Sequence, residues 1–117
     1  MPFLLIYRAD QQPFDLDDVL PVMQSIGVSD IEMDRMPGAL ISGHYSTVGD
    51  SVIVELKTDR QTVAVSDCGP AALKFAMNLQ SSLSAPLLMI DENYSFELAL
   101  KDYDNQGDLK TAIEARV

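Results

Sequence analysis

The chain contains 117 residues, of which 18 are acidic and 8 are basic, and its formal net charge at pH 7 is −10. This length suits one domain, and an apolar fraction of 47% is that of a folded protein rather than a disordered one. The scattered basic residues disfavour nucleic acid as a partner, because phosphates are neutralised by clustered lysine and arginine, and the apolar runs are too short for a membrane helix. The lack of a secretory leader, and a single cysteine that cannot form an internal disulfide, predict a cytoplasmic protein.

The amino-terminal half predicts a strand, a helix and two further strands. Residues 3–8 are apolar and β-rich, and helical spacing of apolar residues follows over 15–27. Pro21 lies inside this helix, so we expect it to kink the helix or to move its start. Residues 30–36 alternate acidic and apolar side chains, as a strand with two different faces does. A turn then leads to a strand over 39–45.

The carboxy-terminal half predicts a hairpin, a long helix, two more strands and a final helix. These elements cover residues 52–57, 62–65, 70–83, 87–90 and 94–101, with a last helix carrying Leu109, Ala112 and Ile113. The order β-α-β-β-β-β-α-β-β-α predicts one α+β domain over 1–117, with a mostly antiparallel sheet of about six strands and two to three helices. The spacing of apolar residues predicts a core of Leu5, Val54, Leu56, Val63, Val65, Phe75, Leu79, Phe96, Leu98 and Ile113.

The acidic residues of the 30–36 strand are the strongest indication of a binding surface. In a regular strand Asp30, Glu32 and Asp34 share one face, where like charges repel each other unless a partner neutralises them. A basic partner would gain both faster association and complementary contacts. The sequence therefore predicts a protein that binds a basic protein.

Residues that could support catalysis are scarce. Cys68 precedes a predicted helix, a position that lowers the pKa of a thiol, and it could be paired with His44 in a Cys–His hydrolase. No third orienting group is marked, however, and a single free cysteine is more often a small buried residue than a nucleophile. The sequence also contains no zinc-ligand spacing and no phosphate-binding loop. We therefore expect no enzymatic activity.

The segment from Asp102 to Asp108 partly matches a calcium-binding loop. Acids occupy its first and third positions and a glycine its sixth, but the fifth position is Gln106, and Ile113 stands at the twelfth position, where a bidentate Glu is needed. A turn whose Asp and Asn side chains cap the last helix explains the same residues. We expect no bound metal and no cofactor.

Three stretches of the carboxy-terminal half carry a resemblance to known proteins: PAALKFA at 70–76, IDENYSFEL at 90–98 and LKTAI at 109–113. Over roughly residues 61–114 the chain resembles the small immunity proteins of bacterial polymorphic toxins, including those of contact-dependent growth inhibition systems. This resemblance implies a cytoplasmic inhibitor without enzymatic activity, which binds and neutralises one cognate toxin domain, commonly a nuclease.

Two hypotheses of different classes follow. In the first, the protein is an immunity protein that covers a basic toxin domain with its carboxylates, with Asp30, Glu32 and Asp34 as the leading contact set. A second set combines Asp91, Glu92 and Tyr94, and Tyr94 and Tyr45 are candidate aromatic anchors, since interface hot spots favour tyrosine. In the second, the protein is a small enzyme or a metal-dependent regulator that uses Cys68 with His44, or the Asp102–Asp108 turn.

Overall fold

The structure is a computed structural model that describes residues 3–34 and 37–116. Its elements follow the predicted order and begin and end as follows: β1 (Leu4–Arg8), α1 (Leu16–Ser25), β2 (Ser29–Met33), β3 (Ala39–Thr47), β4 (Asp50–Lys57), β5 (Val63–Val65), α2 (Pro70–Ser82), β6 (Leu87–Asp91), β7 (Glu97–Ala99), a 3₁₀ turn (Leu100–Asp102) and α3 (Gln106–Arg116). The predicted α+β class is therefore confirmed.

The seven strands form one sheet in the order β2-β3-β4-β5-β1-β6-β7, and each neighbouring pair is antiparallel. Strand β1 lies between β5 and β6, so the chain must cross over β1 to pass from β5 to β6. Helix α2 makes this crossover, because strands that run in the same direction need a long connection. The first strand of the chain thus becomes an interior strand of the sheet.

One face of the sheet packs against the helices and forms the hydrophobic core. Alternate residues of the strands, such as Leu4 and Ile6 of β1, are fully buried with apolar side chains of α1, α2 and α3. Eight of the ten predicted core residues are buried, namely Val54, Leu56, Val63, Val65, Phe75, Leu79, Phe96 and Leu98. Leu5 and Ile113 are only half-buried. Because side chains alternate along a strand, Leu5 lies on the other face from Leu4 and Ile6, and its assignment to the core is wrong.

Several element boundaries differ from the prediction. Asp15 caps α1 by accepting a hydrogen bond from the backbone N–H of Asp17 at 2.9 Å, so Pro21 does not delay the start of the helix. Strand β2 begins one residue early and ends at Met33; positions 35 and 36 of the predicted strand lie outside the described residues. The predicted strand over 94–101 is regular only at Glu97–Ala99. In the described part of the chain, no helix combines the length and apolar character needed to cross a membrane.

Candidate functional site

The strands present a second set of side chains on the face that the helices leave uncovered. The pairing register joins one such residue from each strand into a row across the whole sheet: Glu32, Ser42, Glu55, Ala64, Leu5, Ile90 and Glu97. Carboxylates stand at both ends of this row and apolar side chains at its centre. We call the surface formed by this row and by the residues flanking it on the same side of the sheet the open face.

The apolar half of the open face contains a groove of about 470 Å³. Leu5, Tyr7, Ile90 and Tyr94 line it together with polar side chains from the neighbouring loops and with Arg8 at the end of β1, whose guanidinium is paired with Asp10 at 2.6 Å. The Tyr94 side chain is 74% exposed, and its backbone adopts a φ of 55°, which is unusual for an aromatic residue. An exposed aromatic ring held in a strained conformation beside an apolar groove is a candidate anchor for a partner.

Asp91 fixes the turn that carries Tyr94. The backbone carbonyl of Asp91 accepts a hydrogen bond from the Tyr94 N–H at 3.2 Å, and the Asp91 carboxylate accepts one from the Ser95 N–H at 2.6 Å. Asp91 is only 8% exposed and its carboxylate is already bonded within the turn, so the prediction that it contacts a partner is wrong, and its role is to shape the turn. Glu92 and Tyr94, the other two members of the second predicted set, are exposed.

Tyr7 lines the apolar groove and lies near Glu97, the carboxylate at the β7 end of the row. Burial raises the pKa of Tyr7, and the nearby carboxylate of Glu97 raises it further through its charge and by accepting a hydrogen bond from the phenol. The Glu97 carboxylate therefore lies near the Tyr7 phenol, which lines the groove. Neither residue belongs to the predicted contact sets.

The acidic half of the open face contains a second groove, of about 330 Å³, which we call the acidic groove. It is lined by Asp30, Glu32, Ser42, Gly43, His44 and Ile53. Asp30 and Glu32 thus share one surface, as predicted, although a bulge interrupts the pairing of β2 between Ser29 and Glu32. Asp34 is exposed beyond the end of β2 and does not line the groove.

Tyr45 is a core residue, and its assignment as an aromatic anchor is wrong. It is 4% exposed, its ring contacts Phe75 edge to face with centroids 5.6 Å apart, and its hydroxyl accepts a hydrogen bond from Asn78 Nδ2 at 3.1 Å. The register of β3 places Tyr45 on the opposite side of the sheet from Ser42 and His44.

The structure does not bring Cys68 and His44 into one site. His44 lines the acidic groove, whereas Cys68 lines a separate cavity against Leu73 and Gln106. Burial, followed by the charge of Asp67, raises the pKa of the Cys68 thiol to about 11. The expected lowering of this pKa is therefore wrong, and the thiol is a poor nucleophile at neutral pH.

The turn from Asp102 to Asp108 caps helix α3. The Oδ1 atom of Asn105 accepts a hydrogen bond from the Asp108 N–H at 2.9 Å, and Asn105 Nδ2 donates one to Asp108 Oδ2 at 3.2 Å. These are the contacts expected of a turn whose Asp and Asn side chains cap the last helix. Over residues 3–34 and 37–116, no group of three or more His, Cys, Asp or Glu side chains is arranged to hold a metal ion.

Comparison with known proteins adds no assignment. No family model matches the chain, and searches of curated proteins and of solved structures find no significant match. The open face therefore has to be interpreted from its own chemistry. Sequence reasoning missed Leu5, Tyr7, Ser42, Glu55 and Glu97, although an antiparallel strand that is apolar at consecutive positions, as β1 is, already indicates an apolar second face.

Proposed function

We propose that this protein is a binding module without enzymatic activity, whose open face docks a basic protein domain. In its specific form the proposal is that of an immunity protein, acting in the bacterial cytoplasm, which neutralises one cognate toxin domain of the nuclease type. The observation that carries it is the row across the open face, with an apolar centre between carboxylates at both ends.

The apolar centre supports protein docking. Leu5 and Tyr7 are half-buried beside the buried Ile90, and the largely exposed Tyr94 lines the same groove. Protein interfaces combine such a centre, often with tyrosine hot spots, and a polar rim that stays closer to solvent. The carboxylates of Glu32 and Glu97 lie in the rim position on opposite sides of this centre.

The charges of the open face favour a basic partner over a second copy of the chain. Two copies docked face to face would bring carboxylates together within a protein whose net charge is already −10. Lys57 offers little compensation, because its Nζ atom is paired with Glu55 Oε2 at 3.1 Å. A cationic surface would instead be attracted to the open face before contact, and its charges would be complemented by the carboxylates of this face in the complex.

The test uses the candidate toxin domain encoded by the gene next to that of this chain in its source genome. We expect the chain to restore growth of cells that express this domain, and the purified proteins to bind each other. The open-face variant carries Asp30→Asn, Glu32→Gln and Glu97→Gln. The control variant carries Asp17→Asn, Asp104→Asn and Glu114→Gln, which change the net charge equally at exposed positions of α1, the α3 turn and α3.

We expect the open-face variant to associate more slowly and the control variant to resemble the unmodified protein. Raising the salt concentration should reduce this difference, because charges are screened over about 8 Å at physiological ionic strength. An equal decrease of the association rate in the two variants would mean that net charge alone matters and would contradict docking at this face. A toxin domain that neither binds nor is neutralised would refute the immunity function.

A further inference from the structure

Ser42 is the buried polar residue of the acidic groove. It is 6% exposed and lies between Glu32 and Glu55 in the row across the sheet. Among the hydrogen bonds of residues 3–34 and 37–116, none involves the Ser42 hydroxyl, and no polar side-chain atom of these residues is both fully enclosed and unpaired. The hydroxyl must therefore keep its access to solvent through the groove. A hydroxyl that has no protein partner and opens onto the groove is available to bind a ligand that enters this space.

Asp30 provides a carboxylate at the same groove. Its backbone has a φ of 53° beside the bulge of β2, a conformation that Asp and Asn tolerate better than most residues. In the described part of the chain its carboxylate forms no hydrogen bond and no ion pair. The bulge thus holds an uncommitted negative charge close to the Ser42 hydroxyl, with the Glu32 carboxylate lining the same groove.

Ile53 forms an apolar wall of the acidic groove, beside the polar groups of Asp30, Glu32 and Ser42. Its side chain is 37% exposed and lines the groove beside His44, which is its partner in the register of β3 and β4. Carboxylates and a hydroxyl next to an aliphatic surface match a long basic side chain, whose methylene groups pack while its charged end is hydrogen-bonded. A small inorganic cation would make no use of the aliphatic wall.

We infer that the acidic groove binds the side chain of a lysine or arginine from the docked partner. This inference rests on the proposed function for its biological setting, but the groove can be tested without the toxin. The ammonium or guanidinium group donates hydrogen bonds to the Asp30 and Glu32 carboxylates and to Ser42 Oγ, and the methylene groups of the side chain pack on Ile53. The groove thereby fixes the position of the partner on the open face.

The experiment is an NMR titration of the full chain with N-acetyl-lysine-N-methylamide and, separately, with the arginine analogue. The glutamine analogue, which is of similar size and has no charge, is the matched probe. We expect saturable shifts of the amide signals of Asp30, Ser42 and His44 with the cationic probes only. The relative affinity of the lysine and arginine probes identifies which of the two side chains the groove prefers.

Two variants test the named contacts. Asp30→Asn keeps the backbone conformation and should lower the affinity for the cationic probe about tenfold, since it removes one charge-assisted hydrogen bond. Ser42→Ala should also lower the affinity for the probe. It should not lower the melting temperature, because this hydroxyl has no partner to lose in the free protein. Ser46→Ala on the same strand and Asp104→Asn on the α3 turn are the matched controls and should change neither quantity.

The inference fails if the glutamine probe shifts the same signals, if shifts appear equally around α3, or if Asp30→Asn and Ser42→Ala bind like the unmodified protein. A destabilised Ser42→Ala would show that the hydroxyl has a structural role and would also contradict it. These outcomes would leave docking of a toxin domain elsewhere on the open face intact. Conversely, probe binding at the groove combined with no binding of the toxin would refute the immunity function alone.

Discussion

The two faces of the sheet are built from the same strands but have different chemistry. On the covered face, Leu4 and Ile6 are fully buried against the helices, whereas Leu5 and Tyr7, one residue further along the same strand, are half-buried on the open face. The covered face carries the hydrophobic core, and the open face mixes an apolar centre with carboxylates. In the proposed function, alternate residues of one strand serve folding and recognition separately, so each set can be changed with little effect on the other.

The largest expected effect tests this separation within β1. Leu4→Ala should lower the free energy of unfolding by about 2–5 kcal/mol, the range for a leucine that is removed from a closed core. Leu5→Ala should cost about 1 kcal/mol, because this side chain is already partly in contact with water. Urea denaturation of both variants measures the difference. Equal losses would show that the two faces are equally important for stability and would contradict the comparison.

Gly43 of β3 allows a close approach of the chain at the start of β2. A Cβ atom at this position would lie 2.5 Å from Val28 Cγ1 and 3.1 Å from the Ser29 carbonyl oxygen. We expect Gly43→Ala to destabilise the protein by about 1–3 kcal/mol, because these neighbours belong to a packed region and must move. Thermal denaturation, with Ser46→Ala of the same strand as the control, measures the effect. Unchanged stability would mean that β2 can move away from β3 without cost.

Replacing Tyr94, unlike replacing Gly43, should increase the stability of the protein. Asparagine tolerates a positive φ better than tyrosine does, and little packing is lost from a side chain that is mostly exposed. Tyr94→Asn should therefore stabilise the protein by about 1 kcal/mol while weakening its binding to the basic partner. Urea denaturation and binding kinetics measure the two effects. A loss of stability would show that the ring is needed for the fold and would remove the reason to consider it an anchor.

The smallest expected effect concerns Cys68. Its pKa is raised to about 11 from an ordinary value of 9.0, so at pH 8 iodoacetamide should modify it more slowly than an exposed thiol. Between pH 9 and 11 the unfolded state loses the thiol proton first, and stability should therefore fall over this interval. Cys68→Ser should remove this contribution. Rapid alkylation at pH 7 would contradict the structure and restore the possibility of a nucleophilic cysteine.

The order of elements could be predicted from the sequence because turn residues separate segments of clear periodicity. Face assignment was harder where apolar residues are continuous, as in residues 3–7, since the pattern does not say whether Leu4 or Leu5 faces the core. The preference of interface hot spots for tyrosine suggests a surface position for Tyr45, and membership of an acidic cluster suggests one for Asp91. Their burial depends on the register of β3 with β4 and on the turn after β6, which local sequence does not specify.

The open face as a whole could not be predicted, because it depends on the order of strands in the sheet. The insertion of β1 between β5 and β6 places Leu5 beside Ala64 and Ile90, which are distant in the chain. Strand alternation predicts that Asp30 and Glu32 share a face, but they line one groove across a bulge that the alternation does not predict. The apolar centre and the Ser42 hydroxyl required the assembled sheet.

The most direct test of the account is to map the contact surface in the complex with the basic toxin domain. Amide signals of the chain, recorded by NMR before and after the partner is added, identify the residues that become protected or shifted. We predict changes at Asp30 and Ser42, along Leu5–Tyr7 and at Tyr94, with α2 and α3 unaffected. Changes confined to these helices, with the open face unchanged, would contradict the central claim that the uncovered side of the sheet is the interface.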